Sequence, residues 1–294
     1  MPNPTYIAVD GGASGTRIRV TNGAWSADLA AGPTSLTLTG AAAWQVILGA
    51  LAPVLDDRGI PHLRDARFGL GLAGANSAGL RAAFLAVAPS AAAVSLATDA
   101  HTAVLGAHGG APGAVIAVGT GSVGYRLHAD GSAKLVGGWG FPVGDEGSGA
   151  WLGRRAIGGA LRVLDDGGGP PPEGLHCALL DRCGPDRDAL LAWLHGARSA
   201  KYAELAPMVL EHAGRGDSAA MALARDAGRE IDRLALALDR SRRAPLALTG
   251  GLAAPLTPYL PAELAGWVRP PLGDALDGAL LLAMGEAPEE KPAP

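Results

Sequence analysis

The sequence predicts an α/β protein made of two lobes with a cleft between them. Short apolar runs that end at glycines alternate with stretches whose apolar residues recur at helical spacing, a pattern typical of layered α/β folds. In addition, a strand followed by a glycine turn and a hairpin opens each half of the chain. We therefore expect one lobe from residues 1–112 and a second lobe from residues 113–294.

Local signals define the elements of the first half. Strands are predicted at residues 6–10, 16–21 and 26–31, and Asn22-Gly23 is a strong hairpin turn. Trp44, Ile47, Leu51 and Leu55 lie on one face of a predicted helix. A strand at 68–72, a helix at 79–87, a strand at 94–98 and a helix at 100–106 follow.

The second half repeats the opening pattern and then becomes more helical. Strands are predicted at 114–118 and 246–249, long helices at 148–164 and 218–238, a loop at 165–174, a last helix at 274–284 and a frayed tail at 286–294. One constant shift pairs Ile7-Ala8-Val9 with Ile116-Ala117-Val118, and Gly12 with Gly121. This ungapped match suggests that the strand–glycine loop–hairpin unit is duplicated.

The composition indicates a folded core and excludes several functions. Of the 294 residues, 48% are hydrophobic and 18% are charged, which is typical of a globular protein. The net charge of −4 argues against nucleic acid or an anionic membrane as a partner. Cys177 and Cys183 are too few for a disulfide framework or a four-ligand zinc site, so we expect free core thiols.

The sequence predicts neither a signal peptide in its first ten residues nor a membrane-spanning segment. The first ten residues lack the basic region of a signal peptide. The uncharged stretch from Leu29 to Leu55 is interrupted by Gly32-Pro33, several threonines and Gln45, so it does not read as a membrane span. We expect a cytoplasmic protein.

Two glycine-rich loops are candidate phosphate sites. In Gly11-Gly12-Ala13-Ser14 and in Gly119-Thr120-Gly121-Ser122, small residues allow backbone N–H groups to converge on an anion. Asp10 would repel a phosphate at the first loop unless a metal ion intervened, which indicates Mg²⁺. None of the three lysines follows a glycine, so a P-loop is excluded.

Three further stretches could carry chemistry, and each has a structural alternative. Asp99 follows a strand and could either cap the next helix or act as a general base. Trp139, between Gly138 and Gly140, could pack on the apolar face of a sugar. Asp145 and Glu146 are expected to begin a helix, where they would compensate its dipole or accept sugar hydroxyls. Thr249-Gly250-Gly251 would let a flat ring approach the backbone.

Together these motifs resemble the hexosamine kinases of the BadF/BadG/BcrA/BcrD ATPase family, within the superfamily of sugar kinases and actin. The resemblance covers nearly the whole chain and is greatest to bacterial glucosamine kinases, then to N-acetylglucosamine kinases. It rests on the order of Asp10-Gly11-Gly12, Ser14, Thr98-Asp99-Ala100, Gly119-Thr120-Gly121-Ser122, Gly138-Trp139-Gly140, Gly144-Asp145-Glu146-Gly147-Ser148, Lys201-Tyr202-Ala203 and Thr249-Gly250-Gly251.

The resemblance implies a ribonuclease-H-like fold with a duplicated βββαβαβα core, with ATP, Mg²⁺ and an amino sugar bound in the cleft. It also implies a homodimer, and a last helix, at about 274–285, that returns to the first lobe. The implied phosphate contacts are Gly11, Gly12, Ala13, Ser14, Gly119, Thr120 and Gly121, and the implied adenosine contacts are Ala203, Gly250 and Gly251. The implied sugar contacts are Asp99, which is also the base, together with Ser122, Gly138, Trp139, Gly140 and Asp145.

The chain also departs from the family pattern. Ser14 stands where relatives often have Thr, and Thr98 where many have Asn. Thr34-Ser35 occupies the place of a sugar-binding Asn, so Ser35 is the expected sugar contact there. Three questions stay open: glucosamine or N-acetylglucosamine as substrate; Asp10 or the Asp145-Glu146 pair at the metal; and, instead of a kinase, an ATPase of the same family or a non-catalytic sugar or nucleotide sensor.

Overall fold

The computed structural model describes residues 4–60, 62–166 and 173–290. Its internal contacts divide them into two units. Unit 1 contains the described residues up to Val115, Tyr125–Lys134 and the described residues from Pro270 onward; unit 2 contains Ile116–Gly124 and Leu135–Arg269. Two sheets with helices around them confirm the predicted α/β class.

The first sheet has five strands in the order β3-β2-β1-β4-β5. They are β1 (Thr5–Gly11), β2 (Thr16–Thr21), β3 (Ser26–Ala31), β4 (Ala66–Leu72) and β5 (Ala93–Ala97). The strands β1, β2 and β3 form antiparallel hairpins, whereas β4 and β5 are parallel to β1. The carboxyl ends of β1, β4 and β5 therefore share one edge of the sheet, where α/β proteins commonly bind ligands.

The second sheet repeats this topology with one strand fewer. Its order is β8-β7-β6-β9, with β6 (Gly113–Val118), β7 (Ser122–Leu127), β8 (Ala133–Gly137) and β9 (Leu246–Thr249). A parallel bridge from Leu246 to Val268 stands where the first sheet has β5. The duplication is thus visible in the strand order.

The hydrogen bonds that close the two opening hairpin turns do not correspond under the constant shift expected from the sequence. The first turn closes with a hydrogen bond from Gly12 N to Gly15 O at 3.0 Å, and the second with one from Gly119 N to Gly121 O at 2.9 Å. Gly12 is therefore equivalent to Gly119, not to Gly121, and the second turn is one residue shorter. The ungapped match arose because small residues recur in both segments.

The helices follow the strands in the expected alternation. In chain order they are α1 (Leu36–Thr39), α2 (Ala43–Asp57), α3 (Ala78–Ala86), α4 (Asp99–Ala107), α5 (Gly149–Asp165), α6 (Leu175–Cys183), α7 (Arg187–Leu194), α8 (Ser199–Ala203), α9 (Ala206–Gly214), α10 (Ser218–Leu238), α11 (Ala253–Leu256), α12 (Ala262–Trp267) and α13 (Ala275–Met284). The sequence predicted α10 and β9 with these bounds, but it missed α6 to α9. Residues 167–172 of the predicted loop lie outside the described residues.

The predicted apolar face of α2 forms part of the core of unit 1. Trp44 stacks on Phe84 at 4.6 Å between ring centroids and meets Phe68 edge-on at 5.4 Å. Its indole N–H donates to Phe84 O at 3.0 Å. By length and mean hydropathy (1.6) the stretch Leu36–Asp57 could cross a membrane. A turn at Gly40–Ala42 separates its two helices, and buried Ile47 and Leu51 place the longer one against the sheet.

The last helix, α13, packs on the first sheet. It contacts β1, β4 and α4, and its Leu276 and Ala279 form a buried apolar cluster with Ala8 of β1. Asp274 caps the helix by accepting hydrogen bonds from Leu276 N and Asp277 N. The helix ends at Gly285, whose positive φ of 75° reverses the chain direction.

The prediction of a frayed tail was wrong for its described part, Glu286–Glu290. Glu286 N donates to Leu281 O, Glu289 accepts a hydrogen bond from Ser95, and Glu290 binds Thr98. The tail is anchored by contacts almost two hundred residues away in sequence, which no local pattern indicates. Residues 291–294 lie outside the described residues.

Candidate active site

The first glycine loop is fixed at its base and open at its tip. Gly12 O accepts hydrogen bonds from Thr34 N and Ser35 N, each at 3.2 Å. Ala13 and Ser14 at the tip are exposed, so their backbone N–H groups are available to an anion. This geometry is compatible with the phosphate-binding role expected for the loop.

Ser35 lies beside this loop but is buried, at 2% exposure. Its hydroxyl is 2.7 Å from the Thr37 hydroxyl. The neighbouring Thr34 is also buried, with its hydroxyl 2.8 Å from that of Thr16. A direct sugar contact by Ser35 would require its hydroxyl to change partners.

Asp10 lies near the end of β1, and one of its two carboxylate oxygens is hydrogen-bonded to Arg17. Arg17, its neighbour across the hairpin, donates to Asp10 Oδ2 from Nε at 3.1 Å and from Nη2 at 2.7 Å. Arg17 also contacts Asp274 at 2.5 Å. Mg²⁺ in phosphoryl-transfer sites is commonly bound by one or two carboxylates, waters and substrate phosphates. The Asp10 carboxylate, with one oxygen not bonded to Arg17, is compatible with such a site. No group of three or more His, Cys, Asp or Glu able to hold a metal occurs in 4–60, 62–166 and 173–290.

Asp99 is the first residue of α4, and Thr98 alone separates it from the end of β5. Thr98, not Asp99, caps the helix: its Oγ1 accepts a hydrogen bond from His101 N at 3.2 Å. The sequence left capping and catalysis open for Asp99, and the cap is provided by its neighbour. The Asp99 carboxyl bonds locally to Ala100 N at 2.9 Å and the residue is exposed.

The electrostatic surroundings of Asp99 favour a proton acceptor. Asp99 is accessible to solvent, but the surrounding protein partly desolvates its carboxyl, and this desolvation is the main cause that raises its pKa; the negative charges of Asp10 and Glu290 raise it further. Asp10 ends β1 and Asp99 follows β5, so both carboxylates stand at the same edge of the first sheet. An aspartate with a raised pKa is better matched to accept a proton near neutral pH.

The second glycine loop is joined to the start of α5. Gly149 N donates to Gly119 O at 2.8 Å, and Ala150 N donates to Thr120 O at 3.1 Å. Ser148 caps α5 by accepting from Trp151 N at 3.3 Å. The loop is therefore held by the helix, while Thr120 is exposed.

The residues expected to contact adenosine also lie close to the first residue of α5. Leu252 N donates to Val118 O at 3.0 Å, which brings the Gly250-Gly251 turn to the end of β6. A Cβ on Gly149 would lie 3.1 Å from Gly119 O, 3.2 Å from Leu252 Cδ1 and 3.3 Å from Ala203 Cβ. The structure thus brings the second phosphate loop, Ala203 and the Gly250-Gly251 turn together within unit 2.

Five of the residues expected to bind sugar lie together in unit 2, whereas the other two, Ser35 and Asp99, belong to unit 1. Gly138 N donates to Ser122 O at 3.1 Å, and Ser122 N donates to Asp145 Oδ1 at 3.3 Å. The Ser122 hydroxyl is buried and donates to Glu146 O at 2.8 Å. Trp139 and Gly140 follow Gly138, and the Trp139 side chain is 86% exposed, as a sugar-stacking residue would be in the free protein.

Asp145 and Glu146 do not begin a helix, contrary to the expectation. The helix α5 begins four residues after Asp145, at Gly149. Asp145 has a left-handed backbone with φ of 61°, an uncommon conformation that Asp tolerates better than most residues. Its carboxylate is held by Ser122 N, whereas Glu146 pairs with Arg233 at 3.0 Å. The two acidic neighbours therefore have different roles.

A comparison with protein-family models identifies the family of the chain. The model described as the BadF/BadG/BcrA/BcrD ATPase family matches residues 7–271. The chain belongs to this family. The predicted resemblance is confirmed.

Relatives of this ATPase family cover almost the full chain. The glucosamine kinase GspK of Vibrio cholerae serotype O1 (strain ATCC 39315 / El Tor Inaba N16961) is 32% identical over 282 residues, which is 95% of each chain. A Chromobacterium violaceum crystal structure with a provisional N-acetylglucosamine kinase assignment has a TM-score of 0.84 at 41% identity, covering 96% of this chain and 100% of that one.

A more distant structure supports the fold alone. A Porphyromonas gingivalis protein with a similar provisional assignment has a TM-score of 0.71 at 20% identity, covering 94% of this chain and 97% of that one. The repeated strand order of the two sheets, together with the match to the Chromobacterium violaceum structure, confirms the predicted ribonuclease-H-like fold of actin-like ATPases.

The sequence interpretation missed the contacts of three residues that shape the candidate site of this family member, namely Arg17 on Asp10, Thr98 as the cap of α4, and Glu290 on Thr98. Arg17 could have been found, because it pairs with Asp10 across a short hairpin turn. Thr98 has a good capping side chain immediately before a helix. Glu290 had no local signal. The two cysteines are free, with Cys183 buried and Cys177 half-buried in α6.

Proposed function

We propose that the chain is an ATP-dependent kinase that phosphorylates the 6-hydroxyl of an amino sugar, with glucosamine preferred over N-acetylglucosamine. The family membership and the full-length similarity to a glucosamine kinase support the reaction class. The observation that carries the proposal is the position of Asp99: it follows β5 at the same edge of the first sheet as Asp10, and its helix is capped by Thr98, so its carboxyl is not used as the cap.

Asp99 acts as the general base. As the sugar 6-oxygen attacks the γ-phosphorus of ATP, its proton passes to an Asp99 carboxylate oxygen. The new bond joins the sugar oxygen to phosphorus, the bond from phosphorus to the β,γ-bridging oxygen breaks, and ADP leaves. The products are ADP and the sugar 6-phosphate.

The glycine loops stabilise the transferred phosphoryl group. The exposed N–H groups of Ala13 and Ser14 in unit 1, and the Gly119–Gly121 loop in unit 2, donate to phosphate oxygens. Asp10 would hold the metal ion, and Arg17 keeps its carboxylate in place. Mg²⁺, when bound, neutralises phosphate charge as it does in other kinases.

The remaining residues bind the two substrates. Trp139 packs on the apolar face of the sugar, and Asp145 accepts a sugar hydroxyl, in a cluster completed by Ser122, Gly138 and Gly140. Ala203, Gly250 and Gly251 contact adenosine. A cytoplasmic location and a homodimer are also part of the proposal, and the family resemblance supports them.

One assay tests this function. ADP release is measured with glucosamine, N-acetylglucosamine, glucose and an anhydro-muramic sugar, and the phosphorylated position is identified by NMR. We expect the highest kcat/KM with glucosamine and phosphate on the 6-oxygen. ATP turnover that no sugar stimulates would indicate a different ATPase, and absence of turnover would indicate a sensor. Either result would refute the proposal.

A further inference from the structure

The tail after α13 reaches the residue that precedes Asp99. We call Glu286–Glu290 the C-terminal strap. We propose that Glu290 of this strap is a positioning residue for Asp99, acting through the backbone and side chain of Thr98. The inference rests on the proposed function and names a residue that none of the site motifs contains.

Both carboxylate oxygens of Glu290 accept hydrogen bonds from Thr98. Oε2 accepts a hydrogen bond from Thr98 N at 2.7 Å, and Oε1 accepts one from the Thr98 hydroxyl at 2.8 Å. Because that hydroxyl proton points to Glu290, a Thr98 oxygen lone pair faces His101 N and caps α4. The Glu290 carboxylate thus fixes both the backbone and the side-chain rotamer of Thr98. Thr98 is the residue immediately before Asp99, at the start of α4.

The strap is itself held in place by buried partners. The Tyr125 hydroxyl donates to Glu290 Oε1 at 3.0 Å, and the Glu290 side chain is only 12% exposed. Burial and the Glu290 charge raise the pKa of Tyr125, so the phenol keeps the proton that it donates. His101 Nε2 lies 3.0 Å from Pro288 O, and since a carbonyl only accepts, the imidazole donates there.

Glu290 also contributes charge to the site. Desolvation is the largest cause that raises the pKa of Asp99, and the negative charges of Asp10 on β1 and then of Glu290 add to it. The other charged or titratable groups facing Glu290 are Arg81 of α3, 4.0 Å away, with Tyr125 of β7 and His101 of α4 nearby. Loss of the Glu290 charge therefore lowers the pKa of Asp99.

The test compares Glu290→Gln and Glu290→Ala with the matched control Glu289→Gln. Glu289 is the adjacent strap residue and bonds only to the Ser95 hydroxyl among the contacts of the described chain. We expect both Glu290 variants to lose kcat by about tenfold or more, since small displacements of a reacting group are costly, with KM for ATP nearly unchanged. The acid limb of the kcat profile should move to lower pH in Glu290→Gln, and the control should match wild type.

Thermal unfolding of each variant verifies folding, and Glu290→Gln, which is close in shape to the native residue, keeps the test valid if Glu290→Ala does not fold. Wild-type kcat and an unmoved acid limb in Glu290→Gln would overturn the inference, as would equal losses in the Glu289 control. If the wild-type protein phosphorylates no sugar, the proposed function fails, and amide hydrogen exchange tests the strap independently. Faster exchange at residues 98–101 in Glu290→Gln than in Glu289→Gln supports the contact; equal exchange overturns it.

Discussion

Arg17 directs two N–H groups at a single carboxylate oxygen of Asp10, with distances of 3.1 Å and 2.7 Å. The two residues are paired in the β1–β2 register, so the hairpin itself sets this contact. Asp10 Oδ1 accepts no hydrogen bond from the described part of the chain. The pair therefore leaves Asp10 Oδ1 for the cation that the proposed function assigns to this residue, while Arg17 offsets part of the carboxylate charge.

Asp10→Asn should increase the Mg²⁺ requirement of the reaction. An amide oxygen is a weaker ligand than a carboxylate, and we expect the Mg²⁺ concentration for half-maximal rate to rise by about tenfold or more. A Mg²⁺ titration at fixed ATP measures the change. Asp28→Asn is the control, because Asp28 forms a similar pair with Arg19 on the same sheet at 2.7 Å. An equal Mg²⁺ requirement in both variants would show that Asp10 does not hold the metal.

Asp99→Asn should reduce kcat by at least ~10²-fold, a usual loss for a general base, and leave sugar binding intact. Steady-state kinetics give kcat, and calorimetric titration gives the sugar affinity. Asp57→Asn, at the exposed end of α2, controls for loss of an acidic residue. Near-normal turnover in Asp99→Asn would end the assignment.

The wild-type pH profile should show the same group. Asp99 must be ionised to accept a proton, and its pKa is raised by desolvation and then by the charges of Asp10 and Glu290. The value of kcat should therefore fall as the pH drops through that raised pKa, above the ordinary 3.8 of an aspartate. An acid limb that persists unchanged in the residual activity of Asp99→Asn would assign the titration to another group.

Gly250→Ala should destabilise the protein, and Gly119→Ala should not. A Cβ on Gly250 would lie 2.5 Å from the backbone atom Val118 O, and Gly250 has a positive φ of 88°, whereas a Cβ on Gly119 meets nothing within 4 Å. Overpacking typically costs about 1–3 kcal/mol of the free energy of unfolding. Replacing a glycine without strain is neutral or stabilising by up to ~1 kcal/mol. Denaturant unfolding of the two variants compares them directly, and equal stabilities would contradict the close packing.

Trp139→Ala should raise the sugar KM without changing stability. The side chain is 86% exposed, so its removal costs little core packing. Loss of a stacking contact should raise KM by about tenfold, or ~1.4 kcal/mol. Val143→Ala is the control, since Val143 is 88% exposed on the same segment. A KM shift of the same size in both variants would indicate a general effect on the loop.

Local patterns were enough to predict most elements of the fold. The strands β2 and β3 were predicted with their observed bounds, because Asn22-Gly23 marks the turn between them and residues 16–21 alternate. The apolar face containing Trp44 and Ile47 was equally clear, because the 3.6-residue spacing of apolar residues is visible in the sequence of the helix itself, whichever element the helix packs against. These signals lie within one turn or one strand of the residues that they describe.

Features that depend on distant contacts were not predictable in the same way. Asp145 was expected to begin a helix, but its carboxylate is held by Ser122 N, and its backbone adopts φ of 61°. The tail was expected to fray because its composition is that of a solvated terminus, yet Glu290 contacts Thr98, 192 residues earlier. Contacts across such separations depend on the folded backbone.

The sequence by itself determined the family, the layered α/β architecture and the list of candidate residues, because glycine turns, apolar periodicity and motif order are local properties of the chain. Only the tertiary structure decided the contacts between distant residues, which are Asp145 on Ser122 N and Glu290 on Thr98. The physical reason is that a hydrogen bond requires two groups to meet within about 3 Å, and for residues far apart in sequence only the packed backbone sets that distance.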